Sequence, residues 1–532
     1  MKDVPLTSRV GRRRPRARLA LAALYVLLTV GSITMVFPFL LMATTGMKGP
    51  TDQNDNRVIP AYWREDHELF RKFVDDKYGG GIETAGVFYG EPQAVRLMSS
   101  ERTEELMEIA ALSDDEFRRF ERFLLDLPLD QWEPGFRLSP GRVNSKLSLM
   151  YQEWLRRRYA GIEALNDAYM EQNIIFQTVQ PPAERYTSLR WEPEEDLKWS
   201  EWQEFKARLP AQYRVPITVR GQWQHFVRSR FSNRIGRVPE EFRRGADEFS
   251  SLDVAPGTPL HTEFLATALP ERYRTDNPDA RWKAETGEDT LPVAEFDAAF
   301  VAKHKQELRT EYSARNYVYV LDFIMLHGRA IWNSIIFCLL AVITQLTVNP
   351  IAAYALSRYP MPNTGKILLF LLATMAFPAE VTMIPAFLLL RDLGLLNTFA
   401  ALVLPTVASG FSIYLLKGFF DSLPRDYYES GAIEGAKEST LFWKITIPLT
   451  KPVLAVIALT AFMGAYGAFI YAFLVAQDQR MWTLVVWIYE LQTRAPKSVM
   501  MAALTLASVP TLLVFLAAQR VILRGIILPS EK

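Results

Sequence analysis

The chain has 532 residues, with 60 Lys and Arg against 59 Asp and Glu, a formal net charge of +1 and 49% hydrophobic residues. That balance gives no whole-chain electrostatic argument for nucleic acid, and the lone cysteine, Cys338, excludes an intrachain disulfide or a cysteine-based zinc cluster. The mean hydropathy of +0.01 conceals two populations, because the flanks are membrane-like and the middle is polar.

Residues 1–18 form a basic N-terminus carrying Arg12, Arg13, Arg14, Arg16 and Arg18, followed by an apolar run from Leu19 to Met42. Spanning a bilayer takes about 20 residues, whereas a cleaved leader has an apolar core of about 7–15. This run is longer, and Ala43 to Lys48 offers no clean small-x-small site. It reads as an uncleaved first membrane helix within 19–48, its arginine end cytoplasmic.

Residues 49–328 are different material, rich in Trp, Tyr, Phe, Arg and Glu, with no long apolar run. The aromatic content gives this segment surface to bury, so it reads as a folded, mainly helical soluble domain rather than a linker. Helices are expected over 101–126 and 149–169; in the second, Tyr151, Trp154, Leu155, Tyr159, Ile162, Leu165 and Tyr169 recur at three-and-four spacing. Three similar words, Phe123-x3-Leu-Pro128, Phe205-x3-Leu-Pro210 and Phe264-x4-Leu-Pro270, suggest either a duplicated helical hairpin or chance. The words Trp154 to Tyr159 and Ile162 to Tyr169 resemble a scaffold helix of some glycoside hydrolases, a likeness that imports no catalysis. Glu192, Glu194, Glu195 and Asp196 could be offered as a carboxylate pair, but a solvated acidic loop accounts for them better. His225, His261, His304 and His327 lack metal-ligand spacing.

From Arg329 the chain returns to the membrane. Further helices are expected near 331–356, 367–390, 399–417, 453–476 and 499–522, making six in an all-α integral membrane protein. Positive residues gather in the segments predicted cytoplasmic, with Arg358 and Lys366 in one and Lys417, Arg425, Lys437, Lys444 and Lys451 in the next; Arg520, Arg524 and Lys532 lie at the C-terminal end. Both termini are then cytoplasmic, with 49–328 outside. Asn333, Gln345, Asn349 and Asn397 are polar groups in or beside apolar helices. They could line a solute path, but hydrogen bonding between helices is the commoner role.

The loop 418–452 has the wrong composition for a plain connection. Pro424 suits a first helical turn with Ser422 as its cap, Asp426 and Glu429 suit the helix dipole, and Gly435 permits a sharp turn or close approach beside Ala432 and Ala436. Ser439 is expected to cap a second short helix carrying Leu441, Phe442 and Trp443 and ending before Pro448. A small-residue face with bulky apolar residues beyond it suits another protein's groove.

Glu429-Ser430-Gly431-Ala432-Ile433-Glu434-Gly435-Ala436, followed by Phe442 and Ile447-Pro448-Leu449, resembles the EAA loop of ABC-importer permeases, nearest to the maltose-type small subunit of sugar importers. Asn333-Ser334, Ala352 to Arg358 and Leu393 to Thr398 resemble further words of that family, whereas Ser430, Gly431 and Glu434 depart from the usual Ala, Ala and Asp. The resemblance implies that the loop docks on a separate ATPase subunit. It implies as partners a second permease subunit, an ATPase dimer and an extracytoplasmic solute-binding protein, all at a bacterial inner membrane. No cofactor is expected on this chain. It has no phosphate loop, so ATP and Mg belong to the partner ATPase; no metal or catalytic residue is expected. Asn333, Tyr466, Gly467 and Phe469 are candidates for the translocation path, with Gly467 standing where the sugar permeases usually have Asn. The expected organisation is a cytoplasmic 1–18, a first helix in 19–48, an extracytoplasmic 49–328, a permease core over 329–525 and a tail over 526–532. Two rivals stay open: a membrane-anchored carbohydrate-processing enzyme, and a scaffold or sensor derived from a permease.

Overall fold

A computed structural model describes residues 15–79, 103, 104, 107, 112–137, 145–173, 175–189, 191–326, 328–359, 361–374, 378–493 and 495–524. The arginines at 12–14, His327, the final 525–532 and much of 101–111 lie outside the described residues. Two compact units result: Met1–Asn316 with Ala495–Ser498, and Tyr317–Arg494 with Val499–Lys532.

The first unit opens with the apolar helix Pro15–Thr45. The chain leaving that helix is stapled within the unit. Asn316 donates its amide to the carbonyls of Gly46 (2.9 Å) and Lys48 (2.7 Å), Tyr62 donates to the Met47 carbonyl (3.0 Å), and Lys48 reaches the carbonyls of Asp55 and Arg57. Beyond it, the regular structure among the described residues is helical apart from one short antiparallel pair, Trp132–Pro134 with Arg214–Pro216.

Two aromatic-rich cores fill the unit. The larger gathers Phe70, Phe73, Phe120, Trp132, Tyr151, Trp202, Trp282 and Phe296; the smaller is built around Trp223, Phe264 and Tyr273. The three Phe…Leu-Pro words each close a helix, at Asp114–Asp126, Leu197–Ala207 and Pro259–Thr267. In each the Phe and Leu are buried, and the Pro follows where the helix can no longer continue. The likeness is therefore one of helix termination, with two copies in the larger core and one in the smaller.

Within the expected 101–126 helix, Thr103, Glu104 and Met107 are helical, Leu112 and Ser113 are not, and a helix runs on from Asp114, where Ser113 and Glu116 form a reciprocal capping box. The single helix expected over 149–169 is two, Lys146–Arg158 and Ile162–Tyr169. Tyr159 turns extended and Gly161 caps the second helix, so the periodic pattern continues across a break.

Some buried charges in this unit are paired, while others, such as Arg214, donate to backbone carbonyls. Lys77 meets Asp297 at 2.6 Å with both side chains fully buried, and Tyr78 also donates to Asp297 (3.0 Å). Lys206 donates to Glu184 (2.9 Å) and to the carbonyls of Leu129 and Trp132, while Trp202 and Arg137 also bond Glu184. Burial depresses the Lys206 ammonium from its ordinary 10.5 to about 8, against the opposing pull of Glu184.

In the second unit the long helix Gly328–Arg358 packs most extensively against Gly410–Asp421 and Lys451–Tyr466. Among the described residues, three helices are long and apolar enough to cross a membrane: Leu21–Thr45 of the first unit, then Arg329–Arg358 and Lys497–Gln519. Two bent pairs pass the same test together, Phe399–Thr406 with Gly410–Asp421 (50°) and Glu438–Leu449 with Lys451–Tyr466 (81°).

Several expected spans are therefore interrupted. The one placed at 367–390 comprises Thr364–Thr374 and Ala379–Asp392, the second capped by Pro378 in an extended conformation. The one at 399–417 breaks before Ser409 and then runs on to Asp421. The one at 453–476 ends at Tyr466 and resumes as Phe469–Val475. Apolar composition continues through these breaks, so a hydropathy reading cannot register them. The segment expected as an outside loop, 477–498, contains the helix Leu484–Gln492, which buries Leu484, Val486, Ile488 and Leu491.

Candidate functional site

The loop after Asp421 folds as two short helices, and its caps differ from those expected. Ser422 closes the preceding helix, the first loop helix is Asp426–Ile433 with Arg425 at its cap, and Lys437 rather than Ser439 stands at the cap of the second. The second helix does not end before Pro448. It passes through a π turn, Leu441–Thr446, into Ile447–Leu449. Gly435 adopts a left-handed conformation (φ 76°) between the helices, a region open to glycine with little strain.

Of the sharp turn or close approach expected of Gly435, the turn is present, and the close approach within the chain falls instead at Gly431. A Cβ on Gly435 would meet nothing within 4 Å, whereas one on Gly431 would come within 2.6 Å of the Leu441 side chain. Gly431 is thus where the two loop helices touch.

The candidate docking residues divide by exposure. Glu429, Ser430, Ala432, Glu434, Gly435 and Pro448 are exposed, Gly431 and Ala436 are half-buried, and Phe442 is buried. Phe442 belongs to a core cluster with Tyr354, Phe420, Tyr428 and Leu441, and its ring meets Tyr354 edge-on at 5.2 Å. The outer surface carries large apolar groups: Ile433 is 88% exposed, and Tyr427 and Trp443 are more than half exposed. Exposed apolar groups beside small residues give a surface that gains free energy when another protein covers it.

The path candidates lie near one another. Tyr466 and Phe469 flank a cluster containing Phe337, Cys338, Leu402, Ala472 and Trp482. Asn333, buried, donates its amide to the carbonyls of Arg480 (2.8 Å) and Trp482 (3.0 Å), and Ser334 accepts from the Leu484 N–H (2.8 Å). The Asn333 amide is thus engaged in bracing a connection. Tyr466 donates to the Ala507 carbonyl (2.7 Å), Gly467 ends its helix, and the Phe469 ring lies 4.4 Å from that of Tyr489. Asn349 and Asn397 also hold backbone, accepting from Ser409 N–H and Asp478 N–H respectively.

The acidic run offered as a carboxylate pair is solvated: Glu192, Glu194 and Glu195 are exposed, and Asp196 caps a helix by accepting from Trp199 N–H. His67 escaped the sequence reading. With Glu65 and Glu68 it forms a group whose donor atoms lie within 4.8 Å of one another. Arg57 and Arg71 pair with those two carboxylates, balancing their charge without a cation.

Residues 329–528 match the family described as binding-protein-dependent transport system inner membrane component. The diacetylchitobiose uptake system permease protein NgcG of Streptomyces coelicolor is 32% identical over 203 residues, covering 36% of this chain and 66% of that protein. Protein LplC of Bacillus subtilis is 30% identical over 220 residues, covering 38% of this chain and 74% of that protein. The sn-glycerol-3-phosphate transport system permease protein UgpE of Yersinia enterocolitica is 31% identical over 211 residues, with the same two shares, 38% and 74%. With three quarters of such proteins matched at that identity, this chain belongs to the inner-membrane components of binding-protein-dependent transport systems, the permease subunits of ABC importers.

Proposed function

We propose that this chain forms one half of the membrane path of an importer for a carbohydrate or a related solute, and that 418–452 is its docking surface for a separate ATPase. The observation that carries this reading is the two-sided loop. One side is packed into the core through Phe442 and Tyr428, while the other presents Ile433, Tyr427 and Trp443 around a small-residue patch. The solute class is supported by relatives described as transporting diacetylchitobiose and sn-glycerol 3-phosphate.

Nucleotide-driven closure of the ATPase would move the loop and shift the helices between outward- and inward-open states. The proposed topology counts the broken helices as single spans, giving six, with both termini cytoplasmic and 49–328 extracytoplasmic as a docking or substrate-handing domain. A second permease subunit and a solute-binding protein complete the importer, as is general for this family.

Impermeant thiol labelling in intact spheroplasts tests the topology after Cys338 is replaced. A cysteine at Glu195 should react and one at Lys437 should not; the reverse pattern would overturn both the topology and the docking surface. Co-purification of a nucleotide-hydrolysing subunit whose turnover rises with solute would separate an importer from a scaffold. Glycoside hydrolysis by the purified chain would favour the enzyme rival.

A further inference from the structure

The loop is covalently continuous with only two of the helices it must move, those ending at Asp421 and beginning at Lys451. The long helix Gly328–Arg358 is joined to the loop by side chains alone, and those contacts concentrate in its last turn. Tyr354 donates to Glu438 Oε2 at 2.8 Å and sets its ring against Phe442. Arg358 lies 3.5 Å from the centroid of the Tyr428 ring and donates to the Phe420 carbonyl at 2.8 Å. Ser357 donates to Asp421 Oδ1 at 2.6 Å, a carboxylate also held by Lys417 (2.6 Å). Tyr428 and Thr446 share a hydrogen bond of 2.9 Å, so the first loop helix is tied to the π turn.

Residues 354 and 358 stand one turn apart on one face. Between them they grip the first loop helix, the second loop helix and the helix before the loop. The interactions suit a rigid link: a hydrogen bond to a carboxylate is stronger than a neutral one, and a guanidinium over an aromatic face adds a contact of defined geometry.

We infer that Tyr354 and Arg358 are positioning residues for energy coupling, clasping the loop to the long helix so that the two move as one body. The inference rests on the loop being the ATPase docking surface and adds the route by which its displacement reaches a helix it does not continue into. Without the clasp, the loop would still dock and carry its two covalent neighbours, and the long helix would follow only through its packing against them, with no fixed link to the loop itself.

The test uses the full chain purified with its co-purifying ATPase. Spin labels replace Lys444, exposed on the π turn, and Ile343, an exposed site on the long helix. The distance between them is measured without nucleotide and with ATP, Mg and vanadate. In the parent it should stay constant within about 2 Å, the scale of ordinary helix shifts. In Tyr354→Phe/Arg358→Gln the ATPase should remain bound, while the distance changes between states and its distribution broadens. Arg358→Lys, which keeps the charge but loses the planar stack, should fall between. A parent distance that changes with nucleotide would overturn the inference, as would a double variant that behaves like the parent. Loss of the ATPase from the double variant would also overturn it, because the pair would then be props for docking. Absence of any co-purifying ATPase from the parent would instead remove the docking reading itself, so the two failures are distinguishable.

Discussion

Gly435 allows the docking surface to be separated from the chain's own stability. Its φ of 76° and the empty space around its missing Cβ mean that a side chain there incurs a similar backbone strain, about 1–2 kcal/mol, while its Cβ meets nothing in the chain. Ala, Leu and Trp at 435 should therefore lower the unfolding midpoint of the isolated chain by similar amounts. Transport in the assembled importer should fall with side-chain size, because only the partner meets the added bulk. Gly431 supplies the contrast. A methyl there would stand 2.6 Å from the tip of the Leu441 side chain, so Gly431→Ala only forces that side chain to shift, whereas Gly431→Leu should cost the chain about 1–3 kcal/mol by overpacking. The assay is chemical unfolding in detergent alongside ATPase co-purification and transport for both series. Equal transport by Gly435→Ala and Gly435→Trp would refute the exposed face as a docking surface.

Much of this architecture was legible in the sequence, and the limits have physical causes. The loop could be recognised because its motif is local: a left-handed Gly435, small neighbours and Phe442 lie within a few turns. The first apolar helix, Pro15–Thr45, and the long helix Gly328–Arg358 could be read because continuous apolar composition coincides there with continuous backbone. It fails to coincide at Pro378, Ser409 and Gly467, where the helices break inside apolar stretches. The turn expected at Gly435 is there, but the close packing at Gly431 was not read, because contact between the loop helices depends on the π turn that brings Leu441 inward. The clasp was missed for a related reason. Tyr354 and Arg358 look like the ordinary polar end of an apolar helix until Glu438 and Tyr428 are placed against them. Their one legible signal was a tyrosine and an arginine one turn apart on one face.

Removing Lys77 should take from the fully buried Asp297 its ion-pair partner at 2.6 Å, so Lys77→Met is expected to cost about 3–5 kcal/mol. Adding Asp297→Leu should recover most of that loss, and a double variant as unstable as the single would show that the pair's charge is not what matters. Lys206 gives a pH signature. Folded, it releases its proton near pH 8, and unfolded near 10.5, so between those values the unfolded chain holds more protons. Stability due to this group should therefore rise with pH across that window, by up to about 1.4 kcal/mol per unit, and stay constant below it. The parent minus Lys206→Met difference in urea unfolding should show that slope, and a flat difference would refute it. Asn333 distinguishes a brace from a path residue. Its amide donates to two backbone carbonyls, so Asn333→Ala strands acceptors and should cost about 1–3 kcal/mol. Asn333→Asp should be worse than Ala despite its nearly identical shape, because a carboxylate cannot donate and would face two carbonyl oxygens in a buried site. A path residue would show a different order: altered apparent solute affinity with stability intact, and Asp tolerated wherever the solute offers hydroxyl donors. Thermal unfolding and transport kinetics of the two variants decide between these outcomes. An Asp variant as stable as the parent but changed in solute affinity would move Asn333 from the brace to the path.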